Sequence, residues 1–138
     1  MKFVLDTNTV SALMKGEAAA VARLSRTSPA DVSVPQPVLA EIAYGIARLP
    51  RSTRRARLQE RFDLVRAGLA RAGWSDDVSD AFGRIKSALE KQGRRIEDFD
   101  AAIAARAVAL GAALVTTDTS HMTRVHGLRV EDWSSDQA

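Results

Sequence analysis

The stretch F3-V-L-D-T-N8 decides how the chain is read: Phe3, Val4 and Leu5 suit a buried strand, yet the run stops on the carboxylate of Asp6, followed by Thr7 and Asn8. An apolar run that short, without polar alternation, fits a strand covered on both faces, as in a parallel sheet. A helix is expected next. Asp6 or Asn8 is placed to cap it, Val10, Leu13 and Met14 supply its apolar face, and Gly16 ends it.

Working outward, residues 17–24 read as a second short helix and D31-V-S-V-P35 as a second strand stopped by proline. Pro37 suits a first helical turn ahead of VLAEIAYGIARL. Ser52 is placed to cap a long helix whose stripe is Leu58, Phe62, Val65 and Leu69, a surface for the core or for a second subunit. Gly73 and Trp74 mark a break where a very short third strand can hide. Ser75 then caps a helix with Asp76 and Asp77 at its positive end, the stripe Val78, Phe82, Ile85 and Leu89, and Gly93 as its stop. Residues 98–111, DFDAAIAARAVALG, are apolar almost all round apart from Arg106 and predict a largely buried helix. AALVT and GLRVEDW are the last two strands. Strands alternating with helices predict an α/β fold with a central parallel sheet and helices on both faces.

At 138 residues the chain is about one domain long, expected over residues 1–133 with a frayed tail at 134–138. Hydrophobic residues at 46% and charged residues at 27% predict a packed globule rather than a disordered chain. The absence of cysteine excludes disulfides and thiolate metal sites, and two histidines are too few for a usual zinc cage, so oxygen would have to hold any metal. No apolar run approaches a membrane span and Asp6 cuts short any signal core, which predicts a cytoplasmic protein. Sixteen arginines against four lysines give a net charge of +3. Arginine-rich coding bias accounts for such an excess as readily as a polyanionic partner does, but the distribution is uneven. Arg48, Arg51, Arg54, Arg55, Arg57, Arg61, Arg66 and Arg71 face only Glu60 and Asp63 in the same segment, which makes it a candidate surface for RNA or a protein partner.

Asp6 and Asp118 each follow a strand, the position where open parallel sheets bind ligands. Either one alone reads more often as a turn or helix cap than as a ligand, and two at the same edge weaken that reading. Asp100 opens the most apolar helix of the chain together with Glu97 and Asp98, and one cap does not need three acids. Glu41 shares a helix face with Val38, Tyr44 and Gly45; a glycine inside a helix costs about 1 kcal/mol, which suggests a packed neighbour or a passing substrate strand. Four converging carboxylates would repel one another by roughly 4 kcal/mol per close pair and need a cation. Oxygen ligands select Mg²⁺ or Mn²⁺, with hydrolysis of a phosphodiester as the matching chemistry.

Taken together, FVLDTN, Glu41 in VLAEIAYGI, Asp100 in DFDAAIAARA, LVTTDTSHM and GLRVEDW resemble the PIN-domain family, and within it the bacterial VapC-type toxins. The resemblance covers residues 2–133 and is weakest over 51–73. It implies a three-layer α/β/α sandwich, a Mg²⁺-dependent endoribonuclease (with Mn²⁺ as the alternative ion), a VapB-type antitoxin as partner, and a homodimer. On this resemblance Asp6, Glu41 and Asp100 match the three core metal-binding and catalytic acids, Asp118 matches a fourth position, and Asn8 and Thr116 match supporting polar residues. Thr117 and Met122 depart from the residues frequent at their positions, and His121 is read as a turn residue rather than a base. Arg48, Arg51, Arg54 and Arg55 become candidates for holding RNA or a partner. Two other readings compete: a PIN-like scaffold that binds RNA or protein without cleaving, and a receiver-like domain phosphorylated at a strand-end aspartate, which lacks the lysine expected near its final strands.

Overall fold

The structure, a computed structural model, describes residues 1–135. Its centre is a sheet of five short strands, β1 (Phe3–Leu5), β2 (Val32–Pro35), β3 (Ala70–Ala72), β4 (Ala113–Val115) and β5 (Arg129–Glu131). Every pairing is parallel, in the order β3-β2-β1-β4-β5. Around it lie α1 (Thr7–Met14), α2 (Ala18–Ser25), α3 (Gln36–Ala47), α4 (Thr53–Ala67), α5 (Asp76–Lys91), α6 (Asp98–Leu110) and α7 (Thr119–Met122). The result is the expected three-layer α/β sandwich. No helix among the described residues is long and apolar enough to cross a membrane.

Strand order separates two of the earlier readings. The chain steps from β1 to β2 to β3 in one direction, then crosses back to β4 and β5 on the other side of β1. A receiver-like domain has the order 2-1-3-4-5, so the receiver reading does not survive. The reversal also fixes the place for a ligand, the crevice beyond the carboxyl ends of β1 and β4. Leu5 pairs with Val115 in register, and the Asp6 N–H donates to the Val115 carbonyl at 2.9 Å, so Asp6 and Thr116 leave the sheet side by side.

Most helix boundaries follow the local chemistry. Pro37 lies in the first turn of α3, and the Ser52 hydroxyl accepts the Arg55 N–H at 3.1 Å to cap α4. Gly16, Gly93 and Gly111 take positive φ where α1, α5 and α6 stop. Ser75 stands at the N-cap of α5 but its side chain makes no capping bond; nearby, the Ser79 hydroxyl accepts the Trp74 indole N–H at 2.7 Å instead. The third strand falls just before Gly73, where the glycine had suggested a break. The short helix α7 and a 3-10 turn at Pro29–Asp31 have too few residues for periodicity to reveal them.

One core joins α1 to α4 to the sheet around Val4, Leu5, Val34, Val38 and the fully buried Phe62. The stripe of α4 is thus partly core: Phe62 and Leu69 are buried and Leu58 and Val65 pack against them. A second cluster packs α5 against α6 through Val78, Ala81, Leu89, Ala101 and Ala105. Alanines on α6 allow that close approach, and burial lowers the pKa of the Arg106 guanidinium on the same helix. At the sheet edge Trp133 is buried, meets Phe3 edge-on at 5.5 Å, and lies beside the Arg23–Glu131 ion pair of 2.9 Å.

Candidate active site

Asp6 does act as a cap, with Oδ1 accepting the Thr7 N–H at 2.7 Å at the start of α1. The carboxylate is only 5% exposed, and burial pushes its pKa up, opposed by hydrogen bonds from the Thr7 N–H and the Thr116 hydroxyl. Thr116 is suited to that donation. Its oxygen accepts from Asn8 Nδ2 at 3.1 Å and from the Asp118 N–H at 3.0 Å, which fills both lone pairs, and its single proton has Asn8 Oδ1, at 3.5 Å, as well as Asp6 to serve. Asn8 Oδ1 in turn accepts the Thr117 N–H at 3.0 Å. Asn8 and Thr116 therefore lock the turn after β4 onto the start of α1.

The other three acids reach the same place from three elements. Glu41 projects from α3, and its Oε1 accepts the Thr7 hydroxyl at 2.8 Å. In the first turn of α6 the three acids divide: Glu97 takes the N-cap position, Asp98 pairs with Lys86 at 2.7 Å, and Asp100 turns to the pocket. Burial raises the pKa of Asp100 first, then repulsion by Asp6, Glu41 and Asp118, with His121 working the other way. Asp118 occupies the N-cap position of α7, yet its side chain makes no capping bond. Asp6, Glu41, Asp100 and Asp118 thus line one open pocket with Asn8 and Thr117.

Thr7, Ser11 and Lys15, spaced four residues apart along α1, line the same pocket, as does Ser134. The sequence reading missed them, although a hydroxyl at Thr7 and the four-residue spacing were visible signals. Residues 136–138 of the expected tail lie outside the described residues. His121 belongs to α7 rather than to a turn, with Nε2 3.8 Å from Asp100 and a ring nitrogen 2.8 Å from Arg124 Nη2.

The four candidate arginines do not act as one patch. Arg54 shares a groove with Thr7, Glu41 and Gly45 that continues from the acidic pocket, whereas Arg51 and Arg55 border a separate depression on α4. Arg48 lies over the Tyr44 ring, 5.8 Å from its centroid. No atom lies within 4 Å of where a Cβ on Gly45 would stand, so a packed neighbour does not explain that glycine. It opens onto the groove beside Glu41.

The donor set is suited to a hard divalent ion in chemistry and charge, being all oxygen with two carboxylates strained toward protonation. Among the described residues no group of three or more His, Asp or Glu side chains closes into a cage for an ion. An open arrangement fits an ion such as Mg²⁺, which keeps several waters and takes only one or two carboxylates directly.

A doubly wound parallel sheet with four acids converging on its switch point defines a class of domain built to gather negative charge at one edge. A PIN domain model matches residues 3–128. Over 97% of its length the chain is 31% identical to the tRNA(fMet)-specific endonuclease VapC of Shigella flexneri, covering 99% of that protein. It is 31% identical to ribonuclease VapC2 of Haemophilus influenzae (strain Rd) over 96% of the chain and 98% of that protein. Among solved structures, a DNA-bound VapBC from Salmonella typhimurium superposes with a TM-score of 0.86 at 25% identity, covering 96% of this chain and 98% of that one. VapBC2 of Rickettsia felis, bound to a promoter DNA fragment, gives 0.83 at 25% identity over 96% and 99%. The chain belongs to the PIN-domain family and, within it, to the VapC-type ribonucleases.

Proposed function

We propose that the chain is the toxin of a VapBC-type pair, an endoribonuclease working in the cytoplasm as a homodimer and held silent by a VapB-type antitoxin. Residues 1–133 form the nuclease unit. The observation that carries this reading is the convergence of Asp6, Glu41, Asp100 and Asp118 on the crevice between β1 and β4, with Asp118 left free of its capping role. Asp6 and Asp100, the two acids with raised pKa, would hold Mg²⁺ or Mn²⁺ directly, and Glu41 and Asp118 would hold its waters. When bound, such an ion lowers the pKa of an attacking water and neutralises charge developing on the phosphodiester. Thr7 orients Glu41, Thr116 orients Asp6, and Asn8 keeps the β4 turn in place so that the acids stay aligned. Arg54, in the groove continuous with the pocket, is the arginine best placed to hold an RNA phosphate.

The decisive experiment is expression of the chain with and without the neighbouring small open reading frame, with cleaved RNAs mapped for wild type, Asp6→Asn and Asp100→Asn. Growth arrest and cleavage are expected for wild type alone, relieved by co-expression and abolished in both variants while each stays folded. Full activity in either variant would refute the assignment. RNA binding that survives EDTA with no cleavage of any RNA would favour the scaffold instead.

A further inference from the structure

Beside the acidic pocket lies a second cleft of 480 Å³, lined by Ala40, Glu41, Tyr44 and Phe99. Two features set it apart from ordinary surface. Tyr44 on α3 is 67% exposed and Phe99 in the first turn of α6 is 46% exposed, although aromatic rings generally bury when they can. Each is tied to an acid of the pocket: Glu41 lines both clefts, and Phe99 directly precedes Asp100. A single exposed ring would need no account, but two from different helices in one cleft that opens from the site do.

We infer that Tyr44 and Phe99 form a stacking platform for an unpaired nucleobase next to the scissile phosphate. The inference rests on the ribonuclease reading and adds to it the residues that would hold the flanking base once it is splayed out of any helix. Aromatic side chains beside a charged groove are the usual means of holding single strands, because every base offers a π-face. The cleft shares Glu41 with the acidic pocket, where a cation-bridged phosphate would lie, and the Arg48 guanidinium lies over the Tyr44 ring, 5.8 Å from its centroid, as a cation for a neighbouring phosphate. A second protein covering the rings is the other occupant that the test distinguishes.

The test uses the full chain and a single-stranded oligoribonucleotide whose cut site has been mapped, intact, with an abasic residue beside the cut, or with 2-aminopurine there. Tyr44→Ala and Phe99→Ala are expected to raise KM about ten-fold, the loss of one base–aromatic stack, with kcat much less changed. Tyr44→Trp and Phe99→Tyr should restore it. An abasic residue at one of the flanking positions should cost wild type about as much and cost the alanine variants nothing further, and 2-aminopurine there should be quenched by wild type only. Equal abasic losses in wild type and variants would overturn the platform while leaving the ribonuclease reading intact. So would alanine variants of normal KM that lose self-association or antitoxin binding, since a protein would then cover the rings. A wild type that cleaves no RNA offers no cut site to map, and that outcome, unlike the two before it, removes the nuclease reading together with the platform.

Discussion

Asp6 caps a helix through Oδ1 and also lines the acidic pocket, so capping alone does not account for its place. The arrangement costs the isolated fold, because burial and like charges raise the pKa of Asp6 and Asp100 above 3.8. A carboxyl whose folded pKa is raised contributes stability that is present in full below pH 3.8 and lost as pH rises through the folded value. At neutral pH in EDTA, Asp100→Asn should therefore melt higher than wild type, and the gap should close as pH falls towards 4. Millimolar Mg²⁺ should raise the melting temperature of wild type and leave the variant nearly unmoved. Calorimetry with and without the ion checks both, and a variant that melts lower in EDTA would contradict the strain. Asn8 anchors Thr116 and Thr117. Asn8→Ala should cut cleavage by about 10- to 100-fold with the fold retained, the usual loss when the support of a metal-binding carboxylate goes.

At the scale of elements, α3 shows a local rule broken at the site. Gly45 sits inside the helix with open space where a side chain would be. Gly45→Ala should stabilise the protein by about 0.5–1 kcal/mol in a denaturant titration, because alanine loses less backbone entropy in a helix. If the groove it opens carries substrate past Glu41, the same change should weaken cleavage; a stabilised and fully active variant would leave that glycine without a role. The places of α1, α3, α4 and α6 were legible because breakers and apolar patterning agree with one another, while only α1 and α4 of these four carry the side-chain caps, Asp6 and Ser52, that were read for them. Ser75 misled as a cap, and α7 was invisible, because a four-residue helix carries no period and depends on contacts of the turn after β4.

Across the whole molecule, a net charge of +3 hides a strongly acidic crevice with basic residues at its borders. RNA affinity should fall steeply with salt, and Arg54→Ala should lower the log–log slope by about one phosphate contact. Arg51→Ala, in the separate depression, should leave the slope unchanged; a fluorescence titration at several salt concentrations separates the two, and equal slopes throughout would remove Arg54 from the RNA path.

What the sequence determined by itself was local: which runs become strand or helix, where caps and glycines end them, and that only oxygen is available to hold an ion. Asp6, Asp100 and Asp118 could be named because each sits at a strand or helix end, whereas Glu41, inside α3, was named because the order of the four along the chain resembles a family. Their convergence was decided by the tertiary structure. Strand order reverses beside β1, so Asp6 and Asp118 meet from opposite halves of the chain, while α3 and α6 bring Glu41 and Asp100 over the same edge. The pairing of Tyr44 with Phe99, the division of Arg48, Arg51, Arg54 and Arg55 among distinct surfaces and the hydroxyl bridge from Thr7 to Glu41 were decided there too. The reason is physical: periodicity records which face of an element is buried, but which two faces share a cleft depends on how the sheet is wound.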